Sequence, residues 1–226
     1  IGLLNTFIPT IILFCRIGVG SCNVQRSLSE IKAGFNVFLY KSSQGIMMTM
    51  SSSLLGFLSG SKLVSYFIPS EKIIKVITTV MTVMLNMAYP TFVKSLKNKC
   101  DQLAIKKAIL KLVVFTFVLT TLFSSIVFIF SDEIILFVFG PEFNGAVYFI
   151  KIMVWIIPLR VSILLFTILW FMPLNKDKFV IKITFTNIAW VLVTACIFIS
   201  HFGGIGVVMS LLLSEILTFL MLVYFF

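Results

Sequence analysis

Long apolar segments recur along this chain, and the short stretches between them hold most of the charged residues. Each segment is close to the ~20 residues that an α-helix, rising about 1.5 Å per residue, needs to cross the hydrocarbon of a bilayer. Strands of a membrane β-barrel alternate polar and apolar residues, and these segments do not. The pattern predicts an all-α integral membrane protein, a polytopic helix bundle of one partial and six full transmembrane helices at approximately 1–15, 34–57, 72–93, 108–130, 147–171, 179–200 and 205–226.

Composition agrees with this class, because 60% of the 226 residues are hydrophobic and 12% are charged. A soluble domain of this size needs far more charge on its surface. Cations concentrate in every second loop, and those loops face the cytoplasm under the positive-inside rule. They hold Arg16, Arg26, Lys32, Lys94, Lys97, Lys99, Lys106, Lys107, Lys111, Lys176, Lys178 and Lys182. Because topology explains most of the net charge of +10, we expect no nucleic-acid partner.

The start of the chain carries no sign of a signal peptide. The chain is apolar from Ile1 onward and shows neither the basic stretch nor the small-residue cleavage site of a signal peptide. No linker or soluble domain interrupts the later segments. We therefore interpret the sequence as the C-terminal part of a longer membrane protein.

Residues that carry acid–base or metal chemistry are scarce. The sequence has one histidine, His201, and its four cysteines form no C-x-x-C motif. Adjacent Asp132 and Glu133 fit a helix boundary at the water interface better than a catalytic pair, and Glu71 with Lys75 fits a solvated pair at an outer helix start. We therefore expect no enzyme activity, no catalytic residues, no metal and no cofactor, with H⁺ or Na⁺ as the candidate coupling ion.

Arg160 is the most informative residue, since it lies near the middle of the apolar segment 147–171. A guanidinium at that depth costs from about 3 to more than ~10 kcal/mol, so it needs a hydrated cavity, an anion or a buried acid. The acid at similar depth is Glu215, which either pairs with Arg160, stays protonated, or carries the coupling ion. Structural pairing is the preferred interpretation. Lys151, nine positions earlier, points to the opposite side and is expected at the outer interface.

The second segment carries a polar face at membrane depth. Its polar residues fall within roughly a 120° arc of a helix projected at ~100° per residue, and they are Lys41, Gln44, Gly45, Ser51 and Ser52. The face either lines a cavity or packs closely against another helix, and Lys41 either lines that cavity or extends to the headgroups. Asn187 in the sixth segment, 179–200, has the same two interpretations. The candidate substrate-binding residues are therefore Arg160, Lys41, Gln44, Ser52 and Asn187.

Several short strings, in this order and spacing, resemble the C-terminal half of bacterial O-antigen and polysaccharide flippases. These belong to the polysaccharide transporter branch of the multidrug/oligosaccharidyl-lipid/polysaccharide exporter superfamily, and the resemblance spans residues 28–226. The strings are Ser53-Leu54-Leu55-Gly56, Tyr66, Ser70-Glu71-Lys72-Ile73-Ile74, Tyr89-Pro90, Phe139-Gly140-Pro141-Glu142-Phe143, Ala146, Leu174-Asn175-Lys176-Asp177-Lys178, Gly203-Gly204-Ile205-Gly206 and Leu213-Ser214-Glu215.

The resemblance implies the C-terminal bundle of a twelve-helix exporter in the bacterial cytoplasmic membrane. Residues 1–33 would be the end of transmembrane helix six with a cytoplasmic inter-bundle loop, and 34–226 the six-helix bundle. The implied substrate is undecaprenyl-diphosphate-linked oligosaccharide, flipped by alternating access, with membrane lipid and the polysaccharide polymerase and export machinery as further partners. Arg160 and Lys41 are the candidates for pairing with the diphosphate. Two rival functions remain: a drug or cation exporter of the same superfamily, and a membrane polymerase or ligase acting on lipid-linked sugars.

Overall fold

The computed structural model describes residues 49–57, 60–97, 102–174 and 176–226, together with Phe35, Leu39, Ser42 and Ile46. The chain separates into two compact units, Ile1–Phe38 and Leu39–Phe226, and every helix below belongs to the second. The predicted segment 1–15, most of the predicted segment 34–57 and the predicted boundary at residue 33 lie outside the described residues.

The all-α class is confirmed for the described ranges, which contain helices and no strand. Residues 49–57 are helical and precede seven α-helices, one 3₁₀ turn and one π-helical turn. These elements are α1 Ser61–Lys97, α2 Gln102–Ile129, α3 Ser131–Phe139, the 3₁₀ turn Pro141–Phe143, α4 Ala146–Met153, α5 Ile156–Phe166, the π turn Thr167–Phe171, α6 Asp177–Phe202 and α7 Gly204–Phe225.

Four of these helices, α1, α2, α6 and α7, are long and apolar enough to cross a membrane. Helix α4 together with α5 and the π turn passes the same test as a pair, bent by 43° at a short break, and forms either a fifth, broken span or a re-entrant loop. The described ranges are thus those of a multi-pass membrane protein with four or five spans. The predicted total of one partial and six full helices stays a prediction.

Helix α1 begins earlier than the sequence indicated. It starts at Ser61, directly after Gly60, whose φ of 89° suits glycine and ends the preceding structure. The polar string at residues 70–72 therefore lies inside the helix, and the predicted outer helix start at Glu71 and Lys75 was wrong. Glu71 belongs instead to the face of α1 that buries Phe67 and Ile74, because those residues are four before it and three after it.

The stretch 131–145, predicted as an outer loop, contains the short helix α3. Asp132 and Glu133 lie in its first turn, which agrees with the predicted helix boundary and suits the positive end of the helix dipole. Nine residues are too few to cross a bilayer. The exposed side chains of Leu136, Phe137 and Val138 give α3 an apolar surface suited to the membrane interface.

The break between α4 and α5 follows from Pro158. Proline lacks the N–H that would bond the carbonyl four residues earlier, which is that of Val154, and its ring crowds that carbonyl. Val154 and Trp155 accordingly form the turn between the two helices. The freed carbonyl of Val154 accepts hydrogen bonds from the Ile157 N–H at 3.1 Å and from Ser124 Oγ of α2 at 3.1 Å. A neighbouring helix thus completes the broken backbone, as a hydrocarbon environment requires.

Removing the Ser124 hydroxyl tests this support. We expect Ser124→Ala to lower the unfolding free energy by roughly 0.6–1.7 kcal/mol, the range measured for interhelical side-chain hydrogen bonds in membranes. The matched control is Ser125→Ala, whose hydroxyl bonds Thr121 of its own helix at 2.9 Å and whose loss should change stability by less than about 0.5 kcal/mol. Unfolding measured in bicelles compares the two, and equal effects would contradict a role for Ser124 at the break.

Helices α6 and α7 form a tight antiparallel hairpin. The connection is Gly203, whose φ of 58° lies in the left-handed region. Three residues later the backbones nearly touch, since a Cβ added at Gly206 would lie 2.4 Å from the carbonyl carbon and oxygen of Phe198. Glycine is therefore the residue that permits this close approach.

We expect Gly206→Ala to lower the unfolding free energy by about 1–3 kcal/mol, because backbone atoms cannot move aside without separating the two helices. Gly204→Ala is the matched control, since its added Cβ meets first the mobile end of the Leu63 side chain at 3.1 Å. Thermal unfolding in detergent measures both variants. A Gly206→Ala protein with the same melting temperature as the wild type would contradict the close contact between α6 and α7.

Candidate functional site

Helix α5 and the π turn that continues it form the buried centre of the described bundle. Helix α5 packs against α1, α2 and α7. Nine of its 11 residues are buried, as are all five residues of the π turn. An enclosed helix of this kind is apolar on all sides, which explains the near-continuous apolar sequence. The exception is Arg160.

Arg160 forms a buried ion pair with Glu215 of α7. Its Nε donates a hydrogen bond of 2.8 Å to Oε1 of Glu215, and its Nη2 donates to the same oxygen. Arg160 is 8% exposed and Glu215 is 4% exposed. Of the three surroundings predicted for Arg160, the structure therefore contains the buried acid, in the pairing that the sequence favoured. Binding of substrate by Arg160 stays a prediction.

Glu215 lies near the middle of α7, a helix long and apolar enough to cross a membrane. Glu215 follows the start of α7 at Gly204 by 11 residues, or about 16 Å at 1.5 Å per residue, in a hydrocarbon layer about 30 Å thick. Removing two charges from water at this depth is expensive, and their attraction offsets that cost only while both partners are present. The intact pair contributes little to the free energy of unfolding, whereas the loss of one partner lowers that free energy strongly.

Glu71 of α1 is an acid that the sequence analysis placed at an outer helix start. It is only partly exposed, beside the stripe of α1 that buries Phe67 and Ile74. Among the described residues it makes no hydrogen bond and no ion pair. Its spacing from Phe67 and Ile74 was the available signal, but the polar neighbours Ser70 and Lys72 made it look like part of a loop.

The hydroxyl groups near the pair bond their own helices. Ser162 Oγ donates to the Pro158 carbonyl at 2.8 Å, and Ser214 Oγ donates to the Leu211 carbonyl at 2.7 Å. Such local bonds satisfy a hydroxyl in hydrocarbon while leaving it able to turn toward a ligand. The residues next to the pair therefore contribute groups with hydrogen-bonding capacity.

A cavity elsewhere in the described bundle is apolar. It lies between the helical stretch 49–57 and helices α6 and α7, and its lining includes Leu54, Ile188 and Val191 with a single polar side chain, Ser51. No charged residue of the described ranges lines it. It therefore does not provide the cationic surface predicted for the substrate.

The remaining predicted site residues fall into two groups. Lys41 and Gln44 lie outside the described residues. Ser52 is partly buried and donates a hydrogen bond of 3.1 Å from Oγ to the Thr49 carbonyl, and Asn187 is buried on α6. Substrate binding by any of these four residues stays a prediction.

Lys151 is separate from the site, as predicted. Its Nζ forms an ion pair of 2.9 Å with Oδ2 of Asp132, and the two side chains are 36% and 59% exposed. An exposed pair of this kind contributes little to stability. It provides a useful control for the buried pair, since both join a basic residue of the broken span to an acid on another helix.

Comparison with protein-family models, with curated proteins and with solved structures gave no match. The described residues define a coarse class, that of helical proteins with four or five apolar spans and a buried ion pair between two of them. Arg160 lies in the bent segment of α4 and α5, and Glu215 lies in the continuous α7. Intramembrane ionisable residues in such a setting are typical of transport and ion pathways.

Proposed function

We propose that this chain is the C-terminal six-helix bundle of a flippase in the bacterial cytoplasmic membrane. Its substrate is undecaprenyl-diphosphate-linked oligosaccharide, an O-antigen or capsule repeat unit, which it moves between leaflets by alternating access. The observation that carries the proposal is the buried Arg160–Glu215 pair, which joins the bent segment of α4 and α5 to the middle of α7. The resemblance over residues 28–226 supplies the substrate class.

The physical task explains why an arginine is needed. A diphosphate and its sugars have to cross about 30 Å of hydrocarbon, and an uncompensated anion there is prohibitively expensive. A guanidinium matches the geometry of phosphate oxygens and stays charged. Glu215 holds Arg160 neutralised while the site is closed, and the diphosphate takes the place of that carboxylate when the site opens. The released Glu215 then accepts H⁺ or Na⁺, the candidate coupling ion.

Breaks on both sides of Arg160 support a moving segment. Before it lies the Pro158 break between α4 and α5, and after it lies the π turn Thr167–Phe171. Such irregularities are common where helices bend or move, and transporters often build their sites on discontinuous helices. In the proposal, α5 shifts between the two states and carries Arg160 with it. Lys41, Gln44, Ser52 and Asn187 complete the surface that binds diphosphate and sugar.

One observation favours a second candidate, a drug or cation exporter of the same superfamily. Among the described side chains, the partly buried Glu71 is a second acid besides the buried Glu215, against one buried cation, Arg160. A cation exporter requires such an excess of negative charge. Lys75, on the exposed side of α1, offsets part of that excess and keeps the flippase favoured. A polymerase or ligase is supported by none of the described geometry.

Deleting the gene from the source bacterium tests the function. We expect the lipid-linked oligosaccharide to accumulate in the cytoplasmic leaflet and the surface polysaccharide to disappear, with both restored by the wild-type gene and by the gene carrying Ser125→Ala. Membrane extracts and surface polysaccharide gels measure the two quantities. Normal polysaccharide together with a new sensitivity to cationic dyes would contradict the flippase and support the cation exporter.

A further inference from the structure

We propose that Lys72 and Lys75 of α1 form an anion-binding site that holds the diphosphate group of the lipid-linked substrate. The two lysines, together with Val76 and Thr79, make up one exposed surface of α1, which is called here the lysine face. The inference rests on the proposed transport function and adds to it a binding site that is separate from Arg160.

The lysine face lies on the side of α1 that the described bundle leaves exposed. The other side of α1 packs on the start of α4, where Ser70 Oγ donates a hydrogen bond of 3.1 Å to the Ala146 carbonyl. On the same side, Phe67 meets Phe149 edge to face, with ring centroids 6.2 Å apart. At 100° per residue the lysine face points away from these contacts, so the site does not require the Arg160–Glu215 pair to open.

The charge of the lysine face is positive. Neither ammonium group forms an ion pair or a hydrogen bond with a residue of the described ranges. The acid next to them, Glu71, is partly buried, so two exposed lysines stand against one acid that is turned toward the bundle. Charge complementarity therefore favours an anionic ligand.

Both lysines lie far from the ends of the span. Gly204, the first residue of α7, lies against Leu63 of α1, because a Cβ added at Gly204 would be 3.1 Å from Cδ1 of Leu63. With 22 residues α7 is just long enough to cross the hydrocarbon, so Gly204 lies close to one boundary. Lys72 and Lys75 follow Leu63 by nine and twelve residues, or about 14 and 18 Å at 1.5 Å per residue.

This depth decides what the lysine face contacts. A lysine near a helix end extends its ammonium group to the headgroups, but these two lie beyond the reach of that movement. Charged side chains at such depth are rare and face a water-filled cavity or another part of the protein rather than lipid. The lysine face is therefore expected to line a hydrated path.

The spacing of the lysines and the residues around them fit a lipid diphosphate. Residues three apart on a helix are neighbours, about 5–6 Å between Cβ atoms, so both ammonium groups reach one diphosphate. The Thr79 hydroxyl donates to the Lys75 carbonyl at 2.7 Å and is able to turn toward a ligand. Beyond the lysines α1 exposes apolar side chains suited to an isoprenoid tail, those of Val80, Val83, Met84 and Met87. A phospholipid keeps its phosphate at the membrane surface, so the depth favours the transported lipid.

Cysteine labelling tests whether the lysine face is hydrated. The reporter is Val76→Cys, which keeps both lysines, in the full-length protein with its native cysteines replaced by serine and reconstituted in phosphatidylcholine liposomes. An anionic and a cationic methanethiosulfonate reagent are compared, and both react with the thiolate that forms in water. The control is Val118→Cys, an exposed valine near the middle of the apolar α2. The reporter should react at least about tenfold faster than the control. Equal rates would mean that the lysine face contacts lipid, and they overturn the proposal.

The ratio of the two labelling rates at the reporter measures the local charge. Lys72→Gln together with Lys75→Gln should lower the ratio of the anionic to the cationic rate at least about fivefold, because two nearby positive charges are lost. Lys72→Arg together with Lys75→Arg should keep the ratio within about twofold of the original, since arginine stays charged. An unchanged ratio in the glutamine variant contradicts a cationic site.

Farnesyl diphosphate is the probe for the ligand. At saturation it should slow labelling of Val76→Cys at least about threefold, as expected for a ligand that covers the thiol, whereas farnesol, which lacks the diphosphate, should not. Adding Arg160→Met and Glu215→Met should leave this protection unchanged, because the two sites are separate. No protection, equal protection by farnesol, or equal protection by phosphatidylglycerol in the liposomes overturns the proposal. Export is not measured, so these results are independent of the gene-deletion test.

Discussion

Arg160→Ala is expected to lower the unfolding free energy by about 3–5 kcal/mol. The substitution leaves Glu215 buried at mid-membrane depth without its charged partner, and breaking a buried pair from one side costs about that much. Unfolding in bicelles, followed as a function of denaturant or by steric trapping, measures the change. Arg160→Lys keeps the positive charge with a different geometry, so its unfolding free energy should fall by less than that of Arg160→Ala.

The matched variant is Arg160→Met with Glu215→Met, which removes both charges and keeps apolar volume. Replacing a buried ion pair by well-packed apolar residues is often neutral or stabilising. We therefore expect the unfolding free energy of the double variant to be within about 2 kcal/mol of the wild-type value, or higher than it. If Arg160→Ala were as stable as the wild type, or the double variant were as unstable as Arg160→Ala, the buried pair would not control stability.

Exchanging the two charges is expected to separate folding from transport. Arg160→Glu alone places two carboxylates together and should prevent accumulation of the protein, since like charges in hydrocarbon repel strongly. Adding Glu215→Arg restores an ion pair of reversed direction, and abundance should recover to near the wild-type level. Export should stay below roughly a tenth of wild type, because the cation is then on α7 and no longer on the broken span.

The exposed pair of Lys151 and Asp132 supplies the control for this experiment. Exchanging its charges should change both abundance and export by less than about twofold, because exposed pairs contribute about 0–1 kcal/mol. Immunoblots of membranes and surface polysaccharide gels measure the two quantities in the same cells. Recovery of export in the Arg160→Glu, Glu215→Arg protein would show that the pair serves structure alone.

The sequence predicted the spans well wherever an apolar run ends at charged residues or glycine. Helices α6 and α7 begin and end within about two residues of their predicted bounds, which is the usual limit for helix boundaries, whereas α2 begins about six residues before its predicted start. The pairing of Arg160 with Glu215 was also accessible, because a buried guanidinium requires an anion and one acid lay at matching depth.

The position of Glu71 and the turn at Val154 could not be predicted from the sequence, for physical reasons. In a membrane protein, lipid-facing and protein-facing residues are both apolar, so hydrophobicity does not tell which helices touch. The inward position of Glu71 was missed for that reason, and its polar neighbours suggested a helix end. Pro158 predicted a bend in its segment. The turn at Val154 and its hydrogen bond from Ser124 depend on contacts between helices, which the sequence does not show.

The most direct test of the proposed site is export by cells whose gene carries Arg160→Met and Glu215→Met. This protein should fold, so a loss of export reports on the charges and not on stability. The transport proposal predicts normal abundance, accumulation of the lipid-linked oligosaccharide to the level of the gene deletion, and no surface polysaccharide. Wild-type export from this protein would contradict it and leave Arg160 and Glu215 as a structural pair only.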